Sequence, residues 1–365
     1  MLKRVSLVIL AGLVLALVYL LTWPVPVSPV AWDAPRNAGL VDPYEANDRL
    51  GKAAIIDLGS HESPEDITGA GSYIFASSLD GRIIRLRPDG RDLEVFAETG
   101  GRPLGLEFDG IGNLVVANSM LGLQSVSPDG RVSLLVGEWS PGQPVYPNDV
   151  AVAADNRVFF SESSSKFSGR EFGGTYDASL LDIVEHGAHG RVFEYDPATG
   201  KTRVIMSGLN YANGVAVSAD QRFLLVSETA SYRIRRYWLD GPKRGTSEVV
   251  LENLPGFPDN INTGLGERFW IGLVAPRNEL IDKLSARPWA RKVILRLPRA
   301  MRPAAQKSSH VIGIDGDGVV LMNLQDSYAR YPSITGVFET RDALFLSSLF
   351  GNRLARLDKS ALAVD

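Results

Sequence analysis

The chain has 365 residues, 45% of them hydrophobic and 22% charged, which suits one large globular core, and its formal net charge is −4. Acidic and basic residues are interspersed, so there is no basic footprint for nucleic acid, and that partner class is excluded. With no cysteine there can be no disulfide, thiolate metal site or cysteine nucleophile; any metal must be held by oxygen or histidine.

At the N-terminus, Lys3 and Arg4 precede an uncharged apolar run from Val5 to Leu21, closed by Thr22, Trp23 and Pro24. At about 1.5 Å per helical residue this run just spans a bilayer core, and the preceding basic residues favour a cytoplasmic N-terminus. A cleaved signal peptide is the alternative. No A-x-A-like site follows Leu21 before the prolines, however, and Tyr19 with Trp23 suits an interfacial belt. Residues 1–24 are read as a single-pass signal anchor, 25–49 as a linker and 50–365 as a domain on the extracytoplasmic side, periplasmic or lumenal.

From residue 63 onward one phrase recurs. "YPNDVAVAADNRVFFSES" begins at Tyr146 and "YANGVAVSADQRFLLVSET" at Tyr211, each with an asparagine third, and four further copies begin at Ser63, Arg102, Phe257 and Ser333. The aligned positions are Glu65, Leu104, Asn148, Asn213, Asp259 and Thr335, separated by 39, 44, 65, 46 and 76 residues. The short steps match the ~40–50 residues of a four-stranded propeller blade, and the long ones carry insertions. Alternating runs such as "NLVVANS" and "FLLVSET", separated by turns such as "RPDG" and "SPDG", predict strands, with no long helical periodicity between them. The expectation is an all-β, six-bladed propeller behind an N-terminal transmembrane helix.

The insertions fall at about 163–190, which carries His186 and His189, and at 278–307, which carries Lys283, Arg287, Arg291, Lys292, Arg296, Arg299 and Arg302. The second is amphipathic and is expected to present a solvated helix face; a sharper reading is a lid against anionic lipid near the anchor.

In a propeller the same inner-strand position of every blade points at one small axial space. Taken singly, Asn148, Asn213 and Asp259 read as turn formers. Taken together with Glu65 they put four amide or carboxylate groups on the axis, and two carboxylates there would repel unless a cation sat between them. Oxygen ligands with a summed charge of −2 suit calcium, whose loose geometry accepts 6–8 oxygens, better than octahedral magnesium or nitrogen- and sulfur-seeking zinc.

With these residues in view, the chain resembles the six-bladed calcium propellers: gluconolactonases, paraoxonases, diisopropyl fluorophosphatase and strictosidine synthase-like proteins. Among these it resembles the branch that includes the adipocyte plasma membrane-associated protein family. The phrases "FFSESSSKFS", "YANGVAVSAD", "SETASYRIRRYWLDGPKRGTSEVVLENLPGFPDNI" and "FWIGLVAPRN" carry the resemblance, which covers most of residues 50–358. It implies a calcium held by Glu65, Asn148, Asn213 and Asp259, an extra amide ligand at Asn260, and Asp66 and Asp149 as holders of a possible second calcium. Leu104 stands where paraoxonases carry a catalytic histidine, and Thr335 has no inward acid of the kind strictosidine synthase uses in its last blade. The implied function is a calcium-dependent hydrolase of small esters, lactones or organophosphates, with Asp259 as nucleophile or general base. The alternative is a membrane-tethered, non-catalytic interaction propeller.

Overall fold

In the computed structural model, which describes residues 2–362, six four-stranded antiparallel sheets form six blades. They span 67–98, 103–136, 147–209, 212–251, 256–326 and a sixth begun at 334–358. Within each of the first five sheets the strands follow chain order. The sixth blade takes its outermost strand from the start of the domain: Ala54–Asp57 pairs with Arg353–Asp358, Ala54 opposite Arg356 and Asp57 opposite Arg353. This pairing closes the ring non-covalently and leaves no open gap between first and last blade.

The core is divided between the blade interfaces. Ile83 and Val116 meet between blades one and two, Phe160 and Val115 between two and three, Val192 and Val226 between three and four. Leu225 and Ile271 meet between four and five, Trp270 and Leu344 between five and six, and Phe345 and Ile74 between six and one. These side chains are the apolar positions of the alternating runs. Each fully buried one contributes roughly 1.5–3 kcal/mol, so no interface stands without its neighbours.

Near the axis the first strands bulge. Pairing slips between Pro103 and Leu106, Pro147 and Val150, Ala212 and Val215, Pro258 and Ile261, and Ile334 and Val337, at the ring residues of blades two to six. A bulge re-aims side chains; in blades two to five the ring residue lines the axial cavity, and in blade six Thr335 does not. The following position alternates around the ring: Asp66, Gly105, Asp149, Gly214, Asn260, Gly336. The alternation is steric. A Cβ on Gly105 would fall on the Asp149 carboxylate and 2.6 Å from Asp149 Cα; one on Gly336 would meet Asp66 Oδ1 at 2.5 Å, and one on Gly214 would meet the Asn260 carbonyl carbon at 2.6 Å.

Polar side chains at and near these positions stitch blade to blade. Asp66 Oδ2 accepts from Leu106 N at 2.8 Å, Asp149 Oδ2 from Val215 N at 2.8 Å and Asn262 Oδ1 from Val337 N at 2.7 Å. Gly105→Ala should therefore cost roughly 3 kcal/mol, at the upper end of overpacking penalties, read as a lower denaturation midpoint in urea. A midpoint equal to the parent's would contradict this packing.

Candidate functional site

Glu65, Leu104, Asn148, Asn213 and Asp259 come together at one end of the channel as the floor of a cavity of about 640 Å³. Thr335, the sixth aligned residue, does not line it; its hydroxyl and that of Ser347 both donate to the Glu65 carbonyl, so blade six holds the backbone of a ring residue instead. Asn260 lies beside Glu65, its Nδ2 3.2 Å from Glu65 O and 3.3 Å from Oε1. Asn213 Nδ2 donates to Asp259 Oδ1 at 2.6 Å.

Four oxygens here are buried without any hydrogen-bond partner: Glu65 Oε2, Asn148 Oδ1, Asn213 Oδ1 and Asn260 Oδ1. Buried acceptors are nearly always satisfied, so four orphans in one place mark the missing partner as a donor or cation shared among them. No three histidine, aspartate or glutamate side chains group into a metal cluster among the described residues. A cation here would rest on two carboxylates completed by amides, a hard-oxygen donor set of the kind calcium accepts.

Burial, followed by the charges of Asp259 and Asp66, pushes the Glu65 carboxyl well above the usual range. Burial also drives Asp259 up to about 7, against the hydrogen bond from Asn213 that favours its ionised form. Buried Arg102, whose guanidinium donates to Ser63 O at 3.0 Å, lowers Glu65 without cancelling the rise. Nothing in the repeat pattern marks Arg102, because the other copies have no arginine there.

Asp66 and Asp149 sit one residue deeper. Both Asp149 oxygens accept backbone N–H groups, of Val150 and Val215, and those of Asp66 accept from Leu106 N and Asn262 Nδ2. A second cation would share lone pairs already in use. The repeated phrase's acidic end has a different task. Glu162 Oε1 accepts from Tyr146 N and Glu228 Oε1 from Asn210 N, just before the ring asparagines, while Arg191 and Arg233 neutralise the two carboxylates.

Above the floor stands a helical roof. Pro147 pairs with Glu162 and Gly256 with Pro276, so the chain leaves for both insertions at the ring-residue end of the channel. The first insertion folds into the helix Thr175–Glu185, the second into Glu279–Lys283 and Pro288–Arg296, and Val184, Ile281 and Ile294 pack them together.

The expected linker, 25–49, runs across this roof as a packed strap. Ser28 N donates to Glu185 Oε2, Val30 N to Glu185 O and Trp32 N to Ser285 O, and Trp32 stacks on His186 with ring centroids 4.0 Å apart. Burial and the nearby Arg291 and Arg233 hold His186 down at about 3, so it stays neutral. His189 pairs with Glu185, away from the axis. Neither histidine lines the cavity.

The expected solvated face of the second insertion is a correction. Arg291 is fully buried and donates to the carbonyls of Val184, Ser285 and Val30, while Arg296 is buried against the carbonyls of Leu20 and Trp23. Sequence periodicity saw charge and read solvent; these guanidiniums instead satisfy main-chain carbonyls of three separate segments. Lys283, Arg287 and Arg299 do remain exposed.

Two family models match the chain, strictosidine synthase over residues 148–242 and the strictosidine synthase-like N-terminal region over 42–86. The adipocyte plasma membrane-associated protein of Salmo salar is 32% identical over 346 residues, covering 87% of this chain and 80% of the relative. The chain belongs to that strictosidine synthase-like family. The human member is 31% identical, with 94% of this chain and 86% of the relative covered, and strictosidine synthase-like protein 13 of Arabidopsis thaliana is 34% identical over 237 residues.

Among solved structures, a gluconolactonase from Xanthomonas campestris matches with TM-score 0.61 at 20% identity, covering 85% of this chain and 90% of its own. The calcium-binding protein regucalcin from Agrobacterium tumefaciens matches with TM-score 0.57 at 14% identity, covering 84% and 93%. At these identities the likeness is one of fold. The helix Leu2–Thr22 contains a span, Lys3–Thr22, long and apolar enough to cross a membrane, with mean hydropathy 2.7.

Proposed function

We propose that the chain is a calcium-dependent hydrolase of esters, lactones or organophosphates, tethered to a membrane by its N-terminal helix. The observation that carries this reading is the set of four unpartnered buried oxygens, one from the Glu65 carboxylate and three from amides, near the Asp259 carboxylate at the floor of a roofed cavity. Glu65, Asn148, Asn213, Asp259 and Asn260 would hold the ion. Asp66 and Asp149 would hold any second one, by sharing oxygens that now accept from backbone N–H groups and from Asn262 Nδ2. Lys3 and Arg4 at the start of the helix favour a cytoplasmic N-terminus, with the propeller on the other side.

When bound, the cation supplies Lewis-acid polarisation of a carbonyl or phosphoryl oxygen, worth several kcal/mol of transition-state stabilisation. The chain's own residues do the rest. Burial raises Asp259 to about 7 when no cation is bound; beside a bound cation it would stay ionised, as a base or nucleophile must be, and the hydrogen bond from Asn213 Nδ2 favours the same form. Asp259 acts as general base toward water or as nucleophile on the substrate. Leu104 offers an apolar wall where a second base would otherwise stand, and the helices of the two insertions line the cavity above it. A non-catalytic, membrane-tethered interaction propeller is the second reading; what favours it is that Leu104 and Thr335 leave Asp259 without a partner base.

Two outcomes check the proposal. Asp259→Asn keeps an oxygen donor and loses the carboxylate, so calcium-dependent turnover of phenyl acetate, a short lactone or a phosphotriester should fall at least ~100-fold, with the melting temperature near the parent's. No turnover of all three by the folded, calcium-loaded parent would favour the interaction propeller.

The second outcome concerns pH. A carboxyl whose folded pKa lies above its unfolded one contributes stability that is complete below the unfolded value. Without a cation, that contribution is lost as pH rises through about 7 for Asp259. Calcium binds the ionised form and opposes this loss. The calcium-induced rise in melting temperature should therefore be larger near pH 8 than near pH 5.5, and an equal or inverted shift would contradict the ligand assignment.

A further inference from the structure

The cavity does not end at the roof. Its lining runs from Glu65 and Asp259, past Leu180, Ile183 and Ile294, to Tyr19 and Trp23 at the last turn of the N-terminal helix. Leu180 and Ile183, three residues apart, lie on one face of the helix Thr175–Glu185 and both line the passage. Both are only partly buried.

The joint between passage and span is built from Arg296. Its Nη1 donates to Leu20 O at 2.8 Å and its Nε to Trp23 O at 2.5 Å, so the insertion satisfies carbonyls left free where the helix stops at Pro24. A cation at a helix C-terminus also complements the helix dipole. Arg291 fastens the same insertion to the strap through Val30 O. The helix end is thereby held as a wall of the cavity. Trp23 is 58% exposed and Tyr19 43%, two amphipathic aromatics at the boundary of an apolar span, where a bilayer's headgroup region would lie.

We propose that this passage admits substrate from the membrane: an aliphatic ester or lactone whose carbon chain lies between the two insertions and the helix end while its carbonyl reaches the axis. A chain dissolved in the bilayer that entered a cavity facing water would first expose itself, at about 0.8 kcal/mol per methylene, or about fourfold in concentration for each carbon. An apolar passage opening at the interface avoids that exposure. Small polar substrates gain nothing from it. The proposal rests on the hydrolase reading for turnover, and on the cavity alone for binding.

The test uses the full chain in phosphatidylcholine vesicles with calcium, and reads two things. One is the ratio of kcat/KM for δ-dodecalactone to that for γ-butyrolactone, expected to exceed ten and to fall about tenfold in the double variant Leu180→Gln, Ile183→Gln. The other is photo-crosslinking by a twelve-carbon fatty acid carrying a diazirine, mapped by mass spectrometry. Label should appear on Leu180, Ile183 or Ile294, diminish in the double variant and return with Leu180→Met, Ile183→Met.

The parent's crosslink map stands even if the glutamine variant misfolds. Label confined to the outer face of the helix Leu2–Thr22 overturns the proposal, as does a lactone ratio near one; if butyrolactone is still hydrolysed, the hydrolase reading survives. Label in the passage with neither lactone hydrolysed supports entry from the membrane and sinks the hydrolase reading instead.

Discussion

Six first strands converge on an axis that has no room for six full side chains. The chain meets this constraint by alternation: acids or an amide at Asp66, Asp149 and Asn260, glycines at Gly105, Gly214 and Gly336. Where a glycine gives way, the neighbouring carboxylate crosses to the next blade's backbone, as Asp149 does to Val215. Buried carboxylates that make such bonds rigidify the centre, and one step nearer the cavity Glu65, Asn148, Asn213 and Asp259 all line the same space. The demand that closes the ring thus also concentrates unsatisfied oxygen there.

Most of this was legible in the repeat. Asn148 and Asn213 sit in phrases so alike that their equivalence needed no structure, and the copies at Glu65 and Asp259 followed from alignment. The blade count followed as well. What the alignment could not give was direction. It treated Thr335 as a sixth axial residue, whereas its hydroxyl turns to the Glu65 carbonyl. Register does not decide direction, since blade six slips at Ile334 and Val337 as blades two to five do; Thr335 turns because its hydroxyl has the Glu65 carbonyl as a partner, and a carbonyl leaves no trace in residue type.

The roof was least legible, for a different reason. Arg291 and Arg296 belong to a charged amphipathic segment, and hydrophobic periodicity assigns such residues to solvent. Their partners are backbone carbonyls at Val30, Ser285, Leu20 and Trp23, and a carbonyl carries no sequence signature. The strap shows the same blindness: Ser28, Val30 and Trp32 bind through main-chain N–H groups, so a segment with a linker's composition is packed. The closing strand Ala54–Asp57 is too short to stand out, and only its pairing with Arg353–Asp358 reveals its role. N-terminal helix, strap, insertions and axis are consequently one connected structure, in which the helix end forms part of the cavity it adjoins.

An axial cation would satisfy the four unpartnered oxygens at once. Crystals of the protein grown with calcium, measured at a wavelength where calcium scatters anomalously, test it directly. The expected result is one peak between Glu65, Asn148, Asn213, Asp259 and Asn260, with oxygens at about 2.3–2.6 Å. An axis without a peak, with Asn213 Nδ2 still donating to Asp259 and the four oxygens paired to ordered water, would contradict it.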